Sequence, residues 1–166
     1  MEDLQPGSGA WDLIVLASLE HNLKSRPSSL IYVNSILSFT GVNNNARGGA
    51  QTYEFGNDFQ IIGGFSDQVL AFGNIITPGI SFRYRHAASD LISGSTLPGT
   101  GGDFVFARFS NAIPFPKAKS SFNINLELPI WSRVTDTQLA PTYTINFGWS
   151  KKFVLEDQTD QLIQFN

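Results

Sequence analysis

The chain has 166 residues, with 11 Lys and Arg against 14 Asp and Glu, a net charge of −3 and a pI near 5.2. Only 15% of residues are charged while 42% are hydrophobic and 14 are Phe, which excludes a disordered chain and a coiled coil. The acidic balance lacks the basic footprint of nucleic-acid binding, so no nucleic-acid partner is expected, and the absence of Cys removes disulfides, thiolate metal sites and cysteine nucleophiles together.

Apolar residues recur with period two, the spacing of a strand with two unlike faces. The first segment, 11–20, sets Trp11, Leu13, Val15, Ala17 and Leu19 against Asp12, Ile14, Leu16, Ser18 and Glu20. In the second, 30–39, Ile31, Val33, Ser35, Leu37 and Phe39 alternate with Tyr32, Asn34, Ile36 and Ser38. The third, 54–65, aligns Phe55, Phe59, Ile61 and Phe65 opposite Asp58 and Gln60. The fourth, 72–86, sets Ile80, Phe82 and Tyr84 against Ser81, Arg83 and Arg85, with Pro78 inside the span. The fifth, 103–110, is apolar on both sides apart from Asp103 and Arg108.

The sixth, 121–130, is the clearest: Phe122, Ile124, Leu126, Leu128 and Ile130 oppose Asn123, Asn125, Glu127 and Pro129. The seventh, 142–153, sets Tyr143, Ile145, Phe147 and Trp149 against Thr144, Asn146, Gly148 and Ser150. No crossover helix fits between any two, so the fold class is all-β and the topology an antiparallel meander.

The alternation admits two readings. The apolar face packs inward in a soluble antiparallel sandwich or jelly roll, and meets lipid in an outer-membrane β-barrel. Strands of about 10 residues suit a bilayer crossing, and Trp11, Trp131, Tyr143 and Phe153 gather at strand ends as interfacial girdles do. Short and long connections also tend to alternate, as turns and loops do on the two rims of a barrel.

The last strand, INFGWSKKF, resembles the C-terminal insertion signal of bacterial outer-membrane barrels, carried by Tyr143, Ile145, Phe147, Trp149 and Phe153. The stretches 6–20, 77–94, 99–134 and 135–153 resemble the outer-membrane family labelled MetA-pathway of phenol degradation, or simply transporter. Two departures stand out: Lys151 occupies an apolar position of the signal, and a polar tail, 154–166, follows Phe153.

The resemblance implies that 1–153 is the C-terminal portion of a transmembrane β-barrel in the bacterial outer membrane. It would be an incomplete barrel of about seven strands, with 11–20 and 142–153 as its edges. The implied partners are outer-membrane lipid, the barrel-assembly machinery and small solutes, and the implied function is passive passage of those solutes. Asp58, Arg83, Arg85, Asn123, Glu127 and Asn146 would then face a lumen. The start of the sequence has no signal peptide, which such a protein needs, so the expectation is either a missing N-terminus or a soluble protein. The alternative is therefore a soluble sandwich or jelly roll acting as a binding or structural module.

No enzyme constellation emerges, and no cofactor is expected. His21 and His86 are too few for a histidine metal site and read as solvated. The glycine pairs at 48–49, 63–64 and 101–102 lack a following helix and lysine. Ser93, Ser95 and Ser110 have no nucleophile-elbow setting, and nothing in the sequence places Asp103 beside Glu127 as a carboxylate pair.

Overall fold

The computed structural model describes residues 9–71, 73–134, 136 and 142–153. Its strands are β1 (Leu13–Leu23), β2 (Arg26–Phe39), β3 (Val42–Ala46), β4 (Gln51–Glu54), β5 (Asp58–Asp67) and β6 (Val69–Ala71). They are followed by β7 (Asn74–Ala87), β8 (Leu91–Ile92), β9 (Ser95–Thr96), β10 (Gly102–Phe115), β11 (Ser120–Arg133) and β12 (Thr144–Lys151). Seven of these form an antiparallel path, β1-β2-β5-β7-β10-β11-β12, with β6 paired to one end of β7. β11, with the clearest alternation, is one of the 14-residue strands, and each of its faces meets one kind of environment over its length.

The register sorts every side chain onto one of two faces, since directly paired residues lie on the same side. Ile145, Leu126, Phe109, Ile80, Phe65 and Ile31 form one continuous cross-strand row on the apolar face. On the opposite face, Thr144, Glu127, Arg108, Ser81, Gly64, Tyr32 and Glu20 form another. Proline is tolerated in two ways. Pro129 pairs with Phe106 at a bulge that lets Ile130 slip out of register, whereas Pro78 pairs with Asn111 in register and falls in the gap where the other side of β7 passes from β6 to β5.

The best-buried aromatic side chains sit on the polar side. Phe104 and Phe106 are 8% and 5% exposed, and both share their face with Arg83 and Arg85. The apolar side stays open: Phe147, Phe82, Leu19 and Ile145 are all exposed.

The sheet does not close. Every neighbouring pair on the seven-strand path is antiparallel, so β1 and β12 run in the same direction and cannot complete the pattern against each other. They remain the two edges. The expected outer-membrane β-barrel is therefore corrected to an open antiparallel sheet accompanied by a second, four-stranded sheet. The outer-membrane location, the lipid partner and the assembly-machinery partner fall with it. Inside a bilayer, the edge N–H and C=O groups of β1 and β12 would have no hydrogen-bond partner. None of the helices described is long and apolar enough to cross a membrane, which bears on helices alone.

The second sheet has the order β3-β4-β8-β9 and is built entirely from stretches the alternation leaves as loops. Its strands are two to five residues long and rich in Asn, Gln, Ser and Thr, so period two has no length over which to show. Asp90 ties it together, accepting from the Tyr53 hydroxyl at 2.5 Å and the Gly56 N–H at 2.7 Å.

Candidate functional site

The polar face of the main sheet carries a ladder of six side chains crossing four strands. At its centre Arg83, on β7, donates through Nε to Glu127 Oε2 at 3.2 Å and through Nη2 to Glu127 Oε1. Arg108, on β10, donates to the same Oε2 from Nη2 at 2.8 Å and Nε at 3.2 Å. On the other side, Arg83 Nη1 donates to Gln60 Oε1 at 3.2 Å, and Gln60 Nε2 donates to Asp58 Oδ1 at 2.8 Å. Arg85 Nε closes the ladder on Asp58 Oδ2 at 2.5 Å.

Glu127 is 8% exposed, so its charge needs compensation. Burial pushes its carboxyl pKa up. The hydrogen bonds and positive charges of Arg83 and Arg108 pull it down, and they win, leaving it below the ordinary glutamate value. The ladder thus holds itself together.

Of the residues expected to face a lumen, Asp58, Arg83, Arg85 and Glu127 meet here. Asn123 and Asn146 lie on the same face, opposite Gly148 and Asn125, and join no hydrogen bond of the ladder among the described residues. There is no lumen for any of them, because an open sheet encloses no channel. Passive passage of small solutes is corrected on that ground, and with it the solutes as partners. Sequence reasoning passed over Arg108 and Gln60. The signal for Arg108 was its parity: it falls opposite Glu127 once β10 and β11 are aligned.

The two carboxylates considered as an acid–base pair lie on opposite faces. Asp103 belongs to the row of His86 and Phe59, whereas Glu127 belongs to that of Arg108. Asp103 Oδ1 accepts from the Tyr84 hydroxyl at 2.7 Å and sits 2.8 Å from His86 Nδ1. The hydrogen bond from Tyr84 and the contact with His86 hold the Asp103 carboxyl below its usual range. His86 thus sits near the end of β7 and is exposed, with a carboxylate neighbour that the sequence did not place beside it. No group of three or more His, Asp or Glu among the described residues is placed to hold a metal ion.

Tyr143, Ile145, Phe147, Trp149 and Phe153 flank or line β12. Ile145, Phe147 and Trp149 share the apolar face with Leu126, Ile124 and Phe122, their register partners on β11. All five are exposed, Phe147 at 69% and Trp149 at 68%. The polar tail 154–166 and the 137–141 segment before the last strand lie outside the described residues.

Compared with family models, curated proteins and solved structures, the chain matches none of them. The resemblance to the outer-membrane transporter family is corrected accordingly. Period-two strands with terminal aromatics are shared by any two-faced antiparallel sheet, so they did not single out that family.

Proposed function

We propose that the chain is a non-catalytic assembly module, an antiparallel β subunit that buries one face of its main sheet against another protein surface. This is the soluble binding or structural reading, and the open two-sheet architecture supports it over a channel.

The observation that carries it is the exposed apolar face. The row Ile145–Leu126–Phe109–Ile80–Phe65–Ile31 and the parallel row Leu128–Ala107–Phe82–Gly63–Val33–Leu19 each cross six of the seven strands without an Asp, Glu, Lys or Arg, the first meeting His21 on β1. From strand spacing and rise these two rows cover roughly 400 Å². That lies within the ~300–600 Å² of the largest apolar patch on a typical monomer, a size that is often functional.

The test is to purify the full chain without detergent and compare it with Phe82→Glu by analytical ultracentrifugation and by binding of a hydrophobic dye. Phe82 is exposed at mid-face, so the charge should leave the circular dichroism unchanged while lowering both assembly and dye binding. A chain that disperses only in detergent or lipid vesicles would overturn the reading.

A further inference from the structure

We propose that a second copy of this chain pairs with the first along β1, edge to edge, about a two-fold axis perpendicular to the sheet. The inference goes beyond the assembly reading above: it concerns the β1 edge and leaves the apolar face free for its own partner.

The outer side of β1 carries no strand among the described residues, and Leu13 to Asn22 are all exposed. Edge strands that avoid pairing carry Lys, Pro, bulges or short lengths. The eleven residues LIVLASLEHNL contain no Pro, Gly, Lys or Arg, and their one acidic residue is Glu20. The other edge is shorter and better guarded. β12 has eight residues, includes Gly148 and ends on Lys151.

Strand direction then selects the symmetry. Rotation about the sheet normal sets β1 antiparallel to its copy and keeps both apolar faces on one side. A two-fold axis lying along the strand would make the pair parallel and put one apolar face beside the other copy's polar face. Joining β1 to β12 of a further copy with faces matched is also parallel, because the two edges run the same way, and it repeats without closing. Only the self-pairing of one edge is both antiparallel and closed. An axis at Ala17 or Ser18 aligns most of the strand and sets Glu20 against Ile14 or Leu16 of the second copy, so like charges do not meet.

The chain has no Cys, so a single introduced one reports the pairing directly. Cα atoms opposed across an antiparallel pair lie about 4.5–5.5 Å apart, within disulfide reach. Full-length Ala17→Cys and Ser18→Cys should give covalent dimers on mild oxidation at one position or both, while Asn146→Cys on β12 stays monomeric. Ala17→Lys, at an exposed site, should convert the unmodified dimer to monomer in light scattering with its circular dichroism retained. Absence of cross-linking at both β1 positions, equal cross-linking at Asn146, or a dimer that survives Ala17→Lys overturns the proposal. A detergent-free monomer overturns the pairing and leaves the module reading standing, whereas a chain that disperses only in detergent overturns both.

Discussion

The Arg83 guanidinium lies 4.1 Å from the centroid of the Phe106 ring while its Nε and Nη2 grip Glu127. The ring covers one side of a charge that the carboxylate neutralises from another, so a buried aromatic and an ion pair stabilise the same spot. Glu127→Gln keeps the shape but leaves Arg83 and Arg108 without their counter-charge. It should destabilise the chain by roughly 2–4 kcal/mol in urea unfolding, whereas Asn123→Ala on the same face should change little.

Acid should weaken the fold through three carboxylates. Burial of Glu127 is outweighed by Arg83 and Arg108, and burial of Asp67 by Ser28, Ser29 and Arg26. Asp103 is lowered chiefly by Tyr84. A carboxyl whose folded pKa is depressed stabilises fully above its unfolded pKa, and that contribution is lost as pH falls through the folded value. Stability should therefore be level with respect to these groups above the ordinary carboxylate range and decline below it. Glu127→Gln should flatten part of that decline in a pH series of urea midpoints.

Two neighbouring glycines should behave oppositely. A Cβ on Gly64 would come within 2.5 Å of Tyr32 Cζ and 2.7 Å of Ser81 Cβ, on the crowded polar face, while one on Gly63 meets nothing within 4 Å on the open apolar face. Gly64→Ala should cost about 1–3 kcal/mol through forced repacking. Gly63→Ala should be neutral or stabilise by up to about 1 kcal/mol through the unfolded chain. Denaturant midpoints of the two variants check both signs.

Asp90→Ala should loosen the small sheet alone. It removes the acceptor for the Gly56 N–H and the Tyr53 hydroxyl, a penalty of about 1–3 kcal/mol. Amide exchange should quicken across 42–54 and 91–96 and stay slow in β10 and β11.

The long strands were legible because Phe122 through Ile130 and Tyr143 through Trp149 repeat their alternation over many residues. The shared face of Arg83, Arg85 and Glu127 followed from parity alone. The edges 11–20 and 142–153 followed from counting seven antiparallel strands, an odd number whose first and last run the same way; the alternation did not decide whether the apolar face meets lipid, because the barrel and the sandwich share it. The small sheet was missed because its strands are too short to show a period. Arg108 was missed because β10 is apolar on both sides, so its polar face has little contrast. Phe104 and Phe106 show why: on that face aromatics and charges pack together.

The hydrogen bond from Tyr53 to Asp90 joins residues 37 positions apart in the loops before β5 and after β7, which meet at one end of the sheet because Asp58 pairs with Ala87. Chain closure over such a separation is entropically slow until β5 and β7 have brought the two loops to the same end. The expected order in refolding is therefore hairpins first, small sheet last. Tyr53→Phe should leave the main refolding rate unchanged and speed unfolding, the kinetic signature of a contact made after the barrier has been crossed.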